Sequence, residues 1–325
     1  MYMFKYVLKR IGLMLMTFSI IFVVCFVLIK LLPVDTTSVG VGEDATKLLT
    51  QLKARGYDRP IMEQFGLYLR RIVLDGDFGV GVSMPEYRGQ NIWDVFVEKL
   101  PPTILINIYS SLFAVPLGIA LGIFAALKKN KWQDHVISTA VMVFISVPSF
   151  VYASLLLYTV CFKFDLLPLK MASLAEANNN YFSWTMFKSM IPAVLAMSFG
   201  SIAGYARGTR AELTEVLTSE FMLLARTKGL TKSKATVRHA LRNAMVPIFP
   251  SIVGEFIGVL SGSLVIEKIF TIPGVGGLYL TAINSMDYDF YMMLSGFYLL
   301  VSLVAALVID LSYGFIDPRI RMGAR

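Results

Sequence analysis

Residues Arg207–Pro247 read RGTRAELTEVLTSEFMLLARTKGLTKSKATVRHALRNAMVP, a polar stretch between two apolar runs. Within Ala211–Lys228, the apolar positions Leu213, Val216, Leu217, Phe221, Leu224 and Ala225 recur at three- and four-residue steps. Glu212, Glu215, Ser219 and Arg226 fall opposite, so the spacing predicts one amphipathic helix. Gly229 can leave the helical conformation at little cost and marks a stop. Thr231 can cap a second helix whose apolar stripe is Val237, Ala240, Leu241, Ala244 and Met245. Pro247 ends the unit or kinks it into the next run. A helix–break–helix element of this kind lies at a membrane surface. It serves either as a lipid-holding connector or as a dock for a soluble partner.

Outward from this element the chain is apolar. Of 325 residues, 56% are hydrophobic and only 16% charged, the proportions of a membrane protein rather than a soluble enzyme. Runs near the length needed to cross a bilayer core occur at Ile11–Leu32, Thr103–Leu127, Val136–Phe162, Ser189–Ala206, Met245–Ile266 and Tyr291–Phe315. The expected fold class is an all-α membrane protein with six transmembrane helices. The first run is too long for the core of a cleaved signal peptide and lacks a small-residue cleavage site. Cys25 and Cys161 sit inside apolar runs and imply neither a disulfide framework nor a metal pair. The organisation read from these runs is a tip and first helix at 1–32 and an extracytoplasmic insertion at 33–102. A core of helices two to six follows at 103–316, carrying the 207–247 element, with a tail at 317–325. Within the insertion, Asp44–Arg55 and Ile61–Leu74 have the pattern of short amphipathic helices, and Asp75–Gly79 that of a turn. Pro148 falls inside the third run. The fourth run is the weakest, with Pro192, Gly200 and Gly204.

Charge sets the sidedness. With six spans both termini lie on one side. The segments assigned to that side hold seventeen Lys/Arg, whereas the two short opposite loops hold only Lys163, Lys170, Lys188 and Lys268. This is the positive-inside pattern, placing both termini in the cytoplasm. It accounts for the net charge of +8 without a nucleic-acid partner. Trp132 and Trp184 fall at proposed interfaces, where amphipathic rings belong.

No phosphate-binding loop, H-E-x-x-H or G-x-S-x-G motif occurs. The two histidines, His135 and His239, fall in different loops, so a His-based metal site is not expected. The chain is expected to hydrolyse nothing and to bind no cofactor itself. The informative polar groups are intramembrane. Glu255 falls in the middle third of the fifth run, where a carboxylate must be paired or face a cavity. It is either a lining group of a translocation path, meeting a peptide amine or a cation, or a structural carboxylate between packed helices. Asn107, Ser146, Ser149, Tyr152, Ser198, Tyr205 and Ser261 are further path candidates. Gly254, Gly258, Ser261, Gly262 and Ser263 make the fifth run small-faced, as close helix packing requires, with a path lining as the alternative reading. Asp310 is expected to be structural.

Phe221–Pro247, with Arg238-His239-Ala240-Leu241-Arg242-Asn243, resembles the cytoplasmic loop of the membrane subunits of ATP-binding-cassette (ABC) importers, in the variant of the oligopeptide/dipeptide permeases. Further likeness to the B-type subunit of that subfamily lies in Tyr57–Gln64, Gly76–Gly79 and Lys99–Thr103. It continues in Gly262–Glu267, Ile272–Gly276 and Ile316–Arg319. One departure stands out. The wider importer family's loop opens Glu-Ala-Ala, and here Leu223-Leu224-Ala225 stand in that place, so an ionic contact from a leading Glu does not carry over. The resemblance implies a type I importer transmembrane fold and half of a translocation path. Its implied partners are a homologous second permease, two ATPase subunits holding ATP and Mg, an extracytoplasmic substrate-binding protein, and lipid. It implies an ATPase-coupling loop formed by Phe221, Leu224, Ala225, Arg226, Lys228, Gly229, Leu230, Arg238, His239, Arg242 and Asn243. It gives structural roles to Gly262, Glu267, Pro273, Gly274, Gly276, Asp317, Pro318 and Arg319. An importer of nickel, a metallophore or glutathione is the alternative within the same fold. A stand-alone channel or membrane enzyme is the alternative from another class.

Overall fold

The computed structural model describes residues 2–31, 50, 53 and 56–316. Helices carry the described chain, and no strand forms there beyond two isolated bridges, Val80 with Asn91 and Gly81 with Arg88. The helices are α1 (Tyr2–Leu31), α2 (Ile61–Arg70), α3 (Ile92–Leu127), α4 (Trp132–Ser146), α5 (Ser149–Leu156), α6 (Trp184–Leu217) and α7 (Glu220–Thr227). There follow α8 (Lys232–Ser261), α9 (Leu264–Ile269), α10 (Val275–Asn284) and α11 (Tyr288–Ile316). Wider π turns continue α2 through Asp75 and α5 through Lys163, and another interrupts α8 at Thr236–Ala240. Among the described residues five helices are long and apolar enough to cross a membrane, and α4 with α5 makes a sixth span when taken as one.

Several boundaries differ from the hydropathy reading. The second span begins at Ile92, not Thr103, and the fourth extends from Trp184 to Leu217, because helices continue beyond the hydrocarbon where backbone pairing still favours them. The third run is not one rod. It bends by 99° between α4 and α5, at Val147-Pro148. Val147 takes an extended ψ of 126°, as sterics demand of a residue preceding proline. Ala211–Lys228 is not one helix either: α6 ends at Leu217, and α7 starts after Ser219. Pro247 does not end the element, since it lies inside α8 together with Pro250. The fifth span stops at Ser261 rather than Ile266, and Gly262 turns the chain with φ +64°. Ile61–Leu74 is helical, and Gly76 and Gly79 make the expected turn with positive φ. The helix expected at Asp44–Arg55, apart from Thr50 and Lys53, lies outside the described residues, as do Asp317, Pro318 and Arg319.

The chain divides into two compact units. The first comprises residues 1–103, 261–264 and 273–304. In it Phe22 and Phe26 of α1 pack on Phe65 and Tyr68 of α2, the Phe26 and Phe65 ring centroids 5.1 Å apart. The Asp77–Tyr87 segment folds onto the start of α11. Asp287 Oδ2 accepts hydrogen bonds from the backbone N–H groups of Val82 (2.7 Å), Ser83 (2.8 Å) and Met84 (3.3 Å). Burial pushes the Asp287 carboxyl up in pKa, against the pull of these donors. Tyr57 donates to Asp289 Oδ1 at 2.6 Å. Gly79 has φ +109°, and a Cβ there would lie 2.5 Å from Asp289 Oδ2, so only glycine lets the backbone pass. Val275 N–H donates to Thr103 Oγ1 at 2.9 Å, which ties the start of α10 to α3.

The second unit comprises residues 104–260, 265–272 and 305–325. In it α3 crosses α6 at two glycines one turn apart. A Cβ on Gly118 would lie 2.8 Å from the Ile202 carbonyl, and one on Gly122 2.6 Å from the Ala206 carbonyl. Glycine at these sites lets the two backbones approach closely. Ser110 and Ser198 hydroxyls meet across the same pair of helices at 3.1 Å. α4 is held to α6 by a forked ion pair in which Arg210 donates from Nε and Nη2 to both oxygens of Asp134, the latter at 2.8 Å. Asn130 N–H also donates to Asp134 Oδ2 at 2.9 Å. On α8, Gly254 faces Ile309 of α11, but Gly258 faces open space. The small-faced fifth run therefore packs closely at only one of these two glycines.

Candidate functional site

Two features of the second unit carry the predicted site residues. One is the turn between α6 and α8. Its inner side is anchored by Met222, Leu213, Ala235, Ala240 and Ala244, which bury together with Ala126 of α3. Its outer side is bare: Phe221 is 42% exposed and Leu224 56%. The stripe read across Leu213–Ala225 is therefore split. Leu213 faces the core, while Phe221 and Leu224 face out, because the break at Thr218-Ser219 resets the helical phase. α7 closes as a Schellman cap. Leu230 N–H donates to the Ala225 carbonyl at 3.3 Å and Gly229 N–H to the Arg226 carbonyl at 3.0 Å, with Gly229 at φ +88°. Thr231 Oγ1 then accepts from Lys234 N–H at 3.4 Å and caps α8. On α7, the turn and α8, Arg226, Lys228, Arg238, Arg242 and Asn243 are also exposed, and His239 and Ala225 are half-buried. The element thus presents exposed apolar and exposed basic side chains together, the composition of a protein-docking patch for a partner with acidic margins.

The other feature is a cavity of about 370 Å3 between α6 and α8, within the size range of small-molecule sites. Its α6 wall is Ser201, Gly204, Tyr205, Gly208, Thr209 and Glu212. These recur at three- and four-residue steps, one face of a helix. Its α8 wall is Pro247, Ile248, Ser251 and Glu255. Ser201 Oγ donates to Glu255 Oε1 at 2.9 Å, and Tyr205 Oη donates to the Ser251 carbonyl at 3.1 Å. Pro247 lacks an N–H to return to the preceding turn, and lining a polar cavity is where such a defect is tolerated at membrane depth.

Of the path candidates, the structure brings Glu255 and Tyr205 together. Ser198 is buried against Ser110 and the Val194 carbonyl. Tyr152 joins an aromatic cluster with Phe144 and Phe199. Ser146 and Ser149 are exposed at the α4–α5 bend, and Asn107 is half-buried on α3. Ser261 belongs to the other unit. Among the structural candidates, Glu267 is 2% exposed, Gly274 precedes α10 and Gly276 lies buried in it. Pro273 starts the segment that leads into α10, and Asp310 is half-buried on α11. Sequence reasoning missed Ser201, Thr209, Glu212 and Ser251. The first three stand in a polar stripe of helical period on α6, the signal that would have found them. It also missed Gly118-x-x-x-Gly122, a small-residue motif of transmembrane helix pairs.

The chain matches the family described as "Binding-protein-dependent transport system inner membrane component" over residues 118–322. Residues 3–107 match that family's N-terminal membrane component. It is 32% identical to the dipeptide transport system permease protein DppB of Bacillus subtilis, across 98% of this chain and 99% of the relative. It is also 32% identical to the glutathione transport system permease protein GsiC of Escherichia coli K12, with the same coverage. Two solved structures share the fold. An amino acid ABC transporter aligns with a TM-score of 0.50 at 20% identity, covering 68% of this chain and 94% of its own. An inward-facing MetNI methionine transporter aligns with a TM-score of 0.50 at 13% identity, covering 68% and 97%.

Proposed function

The chain belongs to the binding-protein-dependent transport system inner membrane component family and is a permease subunit of an ABC importer, and on that premise we propose that it carries short peptides inward. The observation that supports this reading is a shared framework. α6 and α8 form both walls of the polar cavity, and the same two helices run to the bare turn at α7. A partner that grips Phe221 and Leu224 therefore acts on both cavity walls through two short connections, Thr218-Ser219 to α6 and the Gly229 turn to α8. In this reading the turn lies in the cytoplasm and docks an ATPase subunit, the basic side chains steer that contact, and Glu255 and Tyr205 line the path. ATP and Mg belong to two ATPase partners. A second, homologous permease completes the path, and an extracytoplasmic binding protein delivers cargo. Both termini are cytoplasmic.

Purification of the tagged chain in mild detergent tests the assembly. Stoichiometric recovery of a second permease and two ATPases, with vanadate-sensitive hydrolysis, is expected. A lone chain, still without partners after crosslinking in intact membranes, overturns it. Uptake by the reconstituted complex then separates cargo. Dipeptides entering in preference to nickel chelates support the peptide reading. Glutathione is the second cargo reading, favoured by the equal identity to a glutathione permease, and it is scored in the same assay.

A further inference from the structure

The cavity between α6 and α8 carries one sign of charge. Glu255 lines its membrane-depth end and Glu212 lies about 16 Å along α6 from Ser201 toward the turn, at 1.5 Å per residue. No Lys, Arg or His is among its lining residues. Glu255 Oε1 accepts from Ser201, and Oε2 makes no hydrogen bond among the described residues. Tyr205 cannot serve it, because the phenol proton is committed to the Ser251 carbonyl. Thr209 lines the same cavity about 12 Å along α6 from Ser201, is 1% exposed, and its Oγ1 has no hydrogen-bond partner among the described residues. A carboxylate at this depth without a cation is costly in an otherwise apolar setting. The uncompensated carboxylate is relieved by a group that is cationic and donates several hydrogen bonds.

We infer that Glu255 is a specificity-determining residue that holds the primary ammonium group of the cargo within the membrane. This rests on the importer reading above. An ammonium carries three donors, enough for Glu255 Oε2 with donors left for neighbouring oxygens of the wall. Glu212 offers a second carboxylate further toward the turn, beyond the ~7 Å span of an extended dipeptide, so the cation meets the two in succession rather than together. Short peptides and glutathione share this group, and the site recognises the chemistry they share.

The test is equilibrium binding to the intact transporter complex in nanodiscs with the extracytoplasmic binding protein omitted. The probe is a labelled dipeptide with a free amino terminus, competed by the same dipeptide unlabelled, by its N-acetyl form and by glutathione. In the wild type the free amine is expected to compete at least tenfold better than the N-acetyl form. Glu255→Gln is expected to bring that ratio near one, and Glu255→Asp to restore much of it. Ser251→Lys, which places a fixed ammonium in the cavity, is expected to abolish binding of the free peptide. Thermal melts show whether each variant is folded. A wild type without preference for the amine overturns the inference whatever the variants do, as does a folded Glu255→Gln that keeps the tenfold ratio. Glutathione competing like the free dipeptide, with the same dependence on Glu255, supports it. If the complete complex imports neither peptides nor glutathione into proteoliposomes, the cargo reading itself fails. Import without amine preference removes the inference alone.

Discussion

Gly229 is the residue on which the docking turn depends, and its requirement is purely conformational. A Cβ there meets nothing within 4 Å, so Gly229→Ala is expected to insert normally and to cost only the left-handed backbone penalty, about 1–2 kcal/mol. Gly229→Pro also removes the N–H that donates to Arg226 and forces φ negative. It is expected to lower transport per ATP hydrolysed while membrane levels stay unchanged, read by uptake and ATPase assays on the same proteoliposomes; normal coupling would show that the cap is dispensable. The Asp134–Arg210 pair makes the opposite case, in which chemistry rather than backbone decides. Asp134 is 1% exposed and Arg210 33%. Arg210→Ala strands a buried carboxylate and is expected to destabilise the complex by about 3–5 kcal/mol, seen as a lowered Tm. The double variant with Asp134→Ala is expected to recover part of that loss.

Helices, rather than residues, account for what was and was not legible in the chain. The apolar runs marked each span because nothing else hides twenty consecutive apolar side chains. Their ends were misjudged because hydropathy reports the bilayer, while backbone pairing sets where a helix stops. α7 separated from α6 at Thr218-Ser219 without any glycine or proline to announce it. The bend at Pro148 and the cap at Gly229 were marked by their residues, although the bend proved far sharper than a proline inside a span suggests. The cavity needed two helices at once: Glu255 and Tyr205 were visible singly, their meeting was not. The α3–α6 crossing yields a paired prediction. Gly122→Ala puts a methyl 2.6 Å from the Ala206 carbonyl, so the backbones must separate, and a clear fall in Tm is expected. Gly258→Ala faces open space and is expected to be neutral or to gain up to about 1 kcal/mol from helix propensity. Equal effects at the two sites would remove the close crossing as the reason for glycine.

At the scale of the whole chain, charge asymmetry and the count of spans make one topological statement that labelling can check. In a background with Cys25 and Cys161 replaced by Ala, a cysteine at Lys129 or Thr227 is expected to resist a membrane-impermeant maleimide in intact cells. A cysteine at Asn179 is expected to react. The reverse pattern would invert the topology and place the docking turn away from any cytoplasmic ATPase. The glycine crossing of α3 and α6 also imposes a schedule on the ribosome. α3 leaves the exit tunnel long before Trp184–Leu217 has been synthesised, and at about 5–20 residues per second the interval lasts on the order of several seconds. Through that interval the bare glycine stripe of α3 faces lipid, with the groove that α6 will fill still empty. A pause in translation after α3 has cleared the tunnel and before Ser183 prolongs this half-built state, when membrane quality-control proteases have their opening. Synonymous slow codons across a segment that takes no part in the crossing are therefore expected to lower the membrane level of the transporter, read by quantitative immunoblot.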